Sequence, residues 1–135
     1  MTLGPQDKRN LSDLRMSKAL EFLEDARANL GEGRYRTAIN RSYYAALSAA
    51  RSILILEGPN PEPHDGVVTM LGLRLVKPGL LPVDVVKDFK LLLSRRTDVD
   101  YGDFDTIDRA DAEDSGRITG DMIDLIERTR KTLVP

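Results

Sequence analysis

The chain has 135 residues, 41% of them hydrophobic and 31% charged, which is the size and composition of one globular domain. It has no cysteine and one histidine, so thiolate metal sites, thiol nucleophiles and all-histidine metal sites within one chain are excluded. Twenty basic and 22 acidic residues leave a net charge of −2, which is not the charge of a protein that coats nucleic acid with its whole surface.

We expect one domain over residues 1–135, with residues 1–10 as a flexible N-terminus. The opening run MTLGPQDKRN lacks the apolar core of a secretory leader. No stretch of the sequence approaches the roughly 18 consecutive apolar residues of a membrane span. A cytoplasmic protein with no membrane attachment is therefore expected.

Apolar residues recur at the helical period, and the alternating β-branched runs that form strands are scarce. The predicted helices, in chain order, span about Ser12–Leu30, Tyr35–Glu57, His64–Val76, Pro82–Arg96 and Asp108–Leu133. On the first helix, the stripe predicted to be buried consists of Met16, Leu20, Leu23 and Leu30. The sequence predicts an all-α fold, an antiparallel bundle of about five helices in which a four-helix up-and-down core is joined by a shorter helix.

The second predicted helix combines small residues with positive charge. Alanines at positions 38, 45, 46, 49 and 50 allow a neighbouring backbone to approach closely, which indicates a central helix. From Arg34 to Arg51 the helix has four arginines and no acid. One face, which can line a groove, carries Asn40, Tyr44, Leu47 and Arg51.

Two interpretations of this helix stay open. Asn40, Arg41, Tyr44 and Arg51 are candidates for binding a nucleotide or RNA. The alternative is that the basic face is only solvated, and that Tyr43 and Tyr44 pack in the core or at a subunit interface with their hydroxyl groups satisfied.

An acidic stretch precedes the last predicted helix. From Asp98 to Asp114 there are eight acids and one cation. A calcium loop of the EF-hand type needs oxygen ligands at positions 1, 3 and 5 and glycine at position 6, whereas counting from Asp98 puts Gly102 at 5 and Asp103 at 6. We therefore interpret the stretch as a solvated connector and predict neither a metal site nor a cofactor.

Three segments in a fixed order carry a family resemblance. They are RTAINRSYYAALSAARSILILEG, PHDGVVTMLGLRLVKPGLL and SRRTDVDY. Together they resemble the HEPN superfamily, and within it the UPF0332-type branch, over about residues 10–133. The resemblance implies an all-α bundle that commonly forms homodimers. It also implies two roles found among members. One is partnership with a minimal nucleotidyltransferase in toxin–antitoxin-like pairs, and the other is metal-independent ribonuclease activity.

The nuclease members of the family carry an arginine followed, four to six residues later, by a histidine. In this chain no histidine lies within six residues of Arg95 or Arg96, and the fifth position after Arg95 is Asp100. The resemblance therefore leaves Arg95, Arg96, Asp100 and Tyr101 as candidate catalytic residues without the usual proton-transferring group. It favours Arg96 with Asp100 and Tyr101, since this branch typically shows an arginine followed shortly by Asp-Tyr. The alternative is structural, with the arginines near a helix C-terminus and paired with Asp98 or Asp100.

His64 lies in the segment PHDGVV, which resembles the His-x-Gly segment of the branch. It is a further candidate for binding nucleotide or RNA, provided that it meets the arginines of the fourth helix from a different helix. The alternative is that its ring caps a helix or packs against a loop.

The sequence thus leaves three hypotheses for function. The first is a dimeric HEPN-like protein that binds a nucleotide or RNA and acts with a minimal nucleotidyltransferase. The second is a metal-independent ribonuclease with a non-standard active site. The third is a purely structural bundle whose arginine-rich second helix forms only a dimer interface.

Overall fold

The computed structural model describes residues 3–102 and 107–133, and within these the regular structure is entirely helical. The helices are α1 (Pro5–Gly31), α2 (Tyr35–Leu54), α3 (His64–Leu71), α4 (Asp84–Tyr101) and α5 (Arg109–Leu133). A 3₁₀ turn, Ile55–Glu57, continues α2, and a π-helical turn, Gly72–Val76, continues α3. The predicted all-α bundle of about five helices is confirmed.

The central position of α2 is also confirmed. Its alanines at positions 38, 45, 46, 49 and 50 are at most 1% exposed, and the helix packs against α1, α3, α4 and α5. Because an alanine side chain is a single methyl group, four neighbouring helices can approach this one closely on different sides. The larger buried side chains of α2, which fill the space that the alanines leave, are Ile39, Tyr43, Ile53 and Leu54.

Buried hydroxyl groups fix α1 and α5 against α2. Ser12 Oγ on α1 donates to the carbonyl oxygen of Ser52 at 2.6 Å, and Thr119 Oγ1 on α5 donates to the carbonyl oxygen of Ser42 at 3.1 Å. Arg130 of α5 donates in turn to Ser12 Oγ at 3.3 Å. A buried polar group costs free energy unless it is hydrogen-bonded, so these bonds favour one register of the three helices.

Two helix ends differ from the prediction. Helix α1 begins at Pro5, so residues 5–10, expected to be flexible, are helical; proline is well suited to a first helical turn because its fixed φ matches the helix. Helix α4 begins at Asp84 and continues to Tyr101, well beyond Arg96, where the prediction ended it. The start of the acidic stretch is therefore helix rather than connector, while Asp103 and Asp105 lie outside the described residues.

The predicted buried stripe of α1 is wrong at one position. Leu20 is 50% exposed, whereas Met16 and Leu23 are buried together with Ala19 and Ala26. At 3.6 residues per turn, positions 16, 19, 23 and 26 form one face, and Leu20 lies to one side of it. Ala19 and Ala26 therefore belong to the buried face of α1, and a prediction based only on large apolar residues omits them.

We expect the matched variants Leu23→Ala and Leu20→Ala to differ in stability. Leu23→Ala leaves a cavity in the core and should lower the free energy of unfolding by about 2–5 kcal/mol. Leu20→Ala should change it by no more than about 0.5 kcal/mol, because the side chain is half exposed. Urea unfolding followed by circular dichroism measures both, and equal losses would contradict the assignment of the buried face.

Candidate functional site

The C-terminal part of α4 places Arg96 against α2. Its Nη2 donates to the hydroxyl oxygen of Tyr44 at 3.0 Å. Its Nε lies 2.8 Å from Oδ2 of Asp100, one helical turn further along α4, in an ion pair that lacks the alignment of a hydrogen bond. The pair exists because α4 continues past Arg96, which brings positions 96 and 100 onto one face.

Three tyrosine rings surround the guanidinium of Arg96. Its central carbon lies 5.7 Å from the ring centroid of Tyr43, 5.5 Å from that of Tyr44 and 5.9 Å from that of Tyr101. Each distance is within the range of a cation–π interaction. Burial lowers the pKa of Arg96, but Tyr44, Asp100, Tyr101 and Tyr43 together raise that pKa by more, so the guanidinium stays charged.

Tyr43 connects this group to the only histidine of the chain. Its side chain is fully buried, its ring stacks on that of His64 at a centroid distance of 5.4 Å, and its hydroxyl makes a short hydrogen bond to His64 Nδ1. Burial raises the pKa of the Tyr43 hydroxyl, so it keeps its proton at neutral pH. Burial and then the nearby charge of Arg96 lower the pKa of His64 below its ordinary value of 6.5, so the imidazole is neutral.

The buried hydroxyl of Tyr43 determines the tautomer of His64. Within the described residues, the hydrogen-bond partner of this hydroxyl is Nδ1 of His64. A buried hydroxyl that did not donate would cost about 1–3 kcal/mol, so Tyr43 donates and Nδ1 accepts. The ring proton of neutral His64 is then on Nε2, because one nitrogen of a neutral imidazole is a donor and the other an acceptor. Both His64 and Arg96 therefore present hydrogen-bond donors.

The structure thus brings His64 of α3 and Arg96 of α4 into contact with one tyrosine on α2. We call the six residues of this group the Arg96 cluster: Tyr43, Tyr44, His64, Arg96, Asp100 and Tyr101. The sequence had treated Tyr43 as packing only, and its position beside Tyr44 on the basic helix is the one signal that could have pointed to it.

Asn40 and Arg41 lie at the edge of the Arg96 cluster. Asn40 Nδ2 donates to Oδ1 of Asp100 at 3.5 Å, at the limit of a hydrogen bond. Arg41 lies over the ring of Phe22 on α1, 5.8 Å from its centroid. Both residues line a shallow cavity of about 310 Å³ beside Asp100.

Arg95 is directed away from the Arg96 cluster. Its Nη1 donates to Ser115 Oγ at 3.1 Å and pairs with Oδ2 of Asp114 at 2.9 Å, both on α5. Hydrogen bonds from Arg117 and, to a smaller degree, from Arg95 hold the pKa of Asp114 below its ordinary value. Arg95 thus connects α4 with α5, and its acidic partner is Asp114 rather than Asp98 or Asp100.

Arg51 and Tyr44 line a larger groove between α1 and α2. Its volume is about 420 Å³, and α1 contributes Phe22, a half-buried ring that the sequence did not single out. Tyr44 belongs to this groove and to the Arg96 cluster at once.

The described chain offers neither a metal-binding cluster nor a membrane span. No group of three or more histidine, aspartate or glutamate side chains in residues 3–102 and 107–133 is arranged to hold a metal ion. None of the described helices is long and apolar enough to cross a membrane.

The single histidine makes the pKa of His64 directly measurable. We expect its ring protons, followed by NMR over pH, to titrate below 6.5 in the folded protein and near 6.5 in urea. Arg96→Gln removes the positive charge that disfavours protonation, so the pKa of His64 should rise in that variant. Arg95→Gln, the same change one residue away, should leave the pKa unaltered, and an equal rise in both variants would contradict the geometry of the cluster.

Comparison with known proteins places the chain in a family. A model of the HEPN domain matches residues 12–129. The chain is 26% identical to a UPF0332 protein of Thermotoga maritima over 122 residues, which are 90% of this chain and 92% of that protein. It is 29% identical to the putative toxin MJ0605 of Methanocaldococcus jannaschii over 99 residues, covering 73% of this chain and 71% of that one.

A further relative and a solved structure agree with this match. The UPF0332 protein PH1297 of Pyrococcus horikoshii is 39% identical over 61 residues, 45% of this chain and 43% of that protein. The crystal structure of TT1696 from Thermus thermophilus superposes with a TM-score of 0.76 at 20% identity, over 87% of this chain and 97% of that one, which shows the fold. Because the family match extends over most of its length, the chain belongs to the HEPN domain family, in its UPF0332-type branch.

Proposed function

We propose that this HEPN protein binds the phosphate groups of a nucleotide or RNA at the Arg96 cluster, as a homodimer that acts beside a separate minimal nucleotidyltransferase in a toxin–antitoxin-like pair. The observation that carries the proposal is the meeting of His64 and Arg96 on Tyr43. Both side chains carry hydrogen-bond donors and contact the same tyrosine, and the nearby rings supply stacking surfaces for bases.

The chemistry of the cluster suits a phosphodiester. A guanidinium is planar and pairs well with phosphate oxygens, and RNA bases stack on aromatic side chains. Tyr101 is 73% exposed and is thus available as a stacking surface, whereas Arg96 is 17% exposed. A phosphate reaches Arg96 by exchanging with Asp100, and this competition favours modest affinity that falls with added salt.

The proposed nucleotidyltransferase partner and the proposed homodimer are inferred from the family to which the chain belongs. The similar protein MJ0605 is described as a putative toxin, which supports a toxin–antitoxin-like role for this chain. Homodimers and nucleotidyltransferase partners are what the HEPN resemblance implies.

Light scattering at micromolar concentration should give twice the chain mass of 15.1 kDa, and a value of one chain mass would contradict the dimer.

We expect Arg96→Gln to weaken the binding of a short single-stranded RNA by about tenfold or more, since a charge-assisted hydrogen bond is lost. The magnitude of the slope of log affinity against log salt concentration should decrease by about one, which corresponds to the loss of one phosphate contact. Fluorescence anisotropy with a labelled oligonucleotide measures both quantities.

Arg95→Gln is the matched control for that experiment. It removes the same charge from the adjacent position, but Arg95 is held by Asp114 and Ser115 on α5. RNA affinity should therefore stay within about threefold of that of the unaltered protein. If both variants lost affinity equally, binding would depend on overall charge and the proposed site would be wrong.

A second candidate function is a metal-independent ribonuclease, which the same meeting of His64 and Arg96 favours. Its difficulty is the tautomer, because Nδ1 of His64 is occupied by Tyr43 and Nε2 carries the proton, which leaves no free nitrogen to accept a proton from a ribose hydroxyl. We therefore expect no cleavage that depends on Arg96 when RNA is incubated with the protein in EDTA.

His64→Gln separates the two functions. Glutamine keeps a donor near the position of Nε2 but cannot exchange a proton at neutral pH, so RNA binding should persist in this variant. If the protein cleaved RNA in EDTA, and Arg96→Gln and His64→Gln both abolished cleavage while Arg95→Gln did not, the ribonuclease would replace the binding role as the function of the cluster.

A further inference from the structure

The carboxylate of Asp100 occupies the position beside Arg96 at which an anionic ligand is expected. Its Oδ2 lies 2.8 Å from Nε of Arg96, and its Oδ1 accepts a hydrogen bond from Asn40 Nδ2 at 3.5 Å. A guanidinium pairs in the same way with the oxygens of a carboxylate and with those of a phosphate. Asp100 is therefore chemically similar to the ligand that Arg96 would hold, and it belongs to the same chain.

The ion pair between Asp100 and Arg96 is incomplete. Nε of Arg96 is buried and makes no hydrogen bond within the described residues, although Oδ2 of Asp100 is close to it. A buried donor of a charged group without an acceptor is costly. The carboxylate thus neutralises the guanidinium without satisfying its Nε–H. An external anion aligned with that N–H would gain a hydrogen bond that Asp100 does not make.

Helix α2 holds the last turn of α4 in place. Arg36 Nη2 donates to the carbonyl oxygen of Val99 at 2.7 Å, and the Val99 side chain packs into a small buried cluster of α2 and α5 residues. The next two residues contact Arg96, Asp100 through its carboxylate and Tyr101 through its ring. We call residues 99–101 the α4 latch. Because Val99 is anchored on α2, the other two residues of the latch are held against Arg96.

Helix α4 ends in a geometry that only glycine fits. The N–H of Gly102 donates to the carbonyl oxygen of Asp98 at 2.9 Å, and a Cβ atom at position 102 would collide with that same oxygen. Because the oxygen belongs to the backbone, the last turn of α4 would have to shift to accept a larger residue. The position of the α4 latch thus depends on Gly102 as well as on α2.

We propose that the α4 latch is an autoinhibitory contact, in which Asp100 competes with the phosphate of a ligand for Arg96. The ligand class rests on the function proposed for the cluster, and Asp100 determines which ligands bind rather than taking part in catalysis. A free inorganic anion that displaces Asp100 gains only the alignment with Nε–H. An RNA also stacks a base on the exposed ring of Tyr101, so it displaces Asp100 at concentrations at which a free anion does not.

Removal of the charge of Asp100 should tighten binding. We expect Asp100→Asn to raise the affinity for a short single-stranded RNA, measured by fluorescence anisotropy, by about tenfold or more, because the competing ion pair is lost.

Asp98→Asn is the matched control for Asp100→Asn. Asp98 is exposed, lies about 200° from Arg96 around α4 and forms no ion pair within the described residues. Water and salt screen an exposed charge there, so RNA affinity should stay within about threefold of that of the unaltered protein. An equal gain in both variants, or a loss of affinity in Asp100→Asn, would overturn the proposal.

Gly102→Ala tests the latch without changing any charge. The added methyl group displaces the last turn of α4, so Asp100 should pair less closely with Arg96 and RNA affinity should rise severalfold. Unchanged or weaker binding in this variant would show that the position of the last turn does not control access to Arg96, and would overturn the latch.

Inorganic sulfate is a probe that does not depend on RNA binding. The NMR signal of the Arg96 Nε–H should shift saturably in Asp100→Asn at a sulfate concentration about tenfold or more below that needed for the unaltered protein. If no variant bound RNA but sulfate behaved in this way, the proposed function would fail and the latch would stand. If RNA bound at Arg96 but the sulfate midpoints were equal, the latch would fail and the proposed function would stand.

Discussion

The rest of the structure depends on the close packing of four helices around α2. Its buried alanines remove the bulk that would hold those helices apart, and buried hydroxyls at Ser12 and Thr119 bond to its carbonyl oxygens. Because α2 is enclosed in this way, its two adjacent tyrosines meet different neighbours. Tyr43 is directed into the core between α3 and α4, and Tyr44 lies between α4 and α1. The Arg96 cluster and the α1–α2 groove are both consequences of that placement.

The buried hydroxyl of Tyr43 links packing to chemistry. It must donate to His64 to avoid an unsatisfied group in the core, and that donation makes Nε2 the donor of the histidine. Arg96, which stays charged beside the same ring, is a donor as well. With two donors, a carboxylate already paired with Arg96 and no free histidine nitrogen, the cluster is suited to hold an anion rather than to take a proton from a ribose hydroxyl. The hydrogen bonds around Tyr43 and Arg96 therefore favour binding over catalysis.

Local pattern was sufficient for the fold and insufficient for the site. The alanines of α2 predicted a central helix from sequence alone, because their spacing is a local property. Helix α1 starts earlier than the sequence predicts. Leu20 is exposed rather than buried, because the neighbouring helices determine which side of the apolar stripe of α1 is buried. Arg95 and Arg96 differ by about 100° around α4, so one faces α5 and the other α2. The approach of His64 to Arg96 across two helices is a tertiary contact that no spacing predicts.

The most direct measurement of the central claim is NMR of the arginine Nε–H groups and the His64 ring during titration with a short RNA. We predict that the Arg96 resonance and the Nε2–H of His64 shift together as phosphate replaces Asp100, with the same midpoint as RNA binding. The chemical shift of the Arg95 Nε–H should not change, because the Arg95 side chain is bound to Asp114 and Ser115 on α5. A saturable shift at Arg95 equal to that at Arg96, or RNA binding that leaves Arg96 and His64 unmoved, would contradict the account.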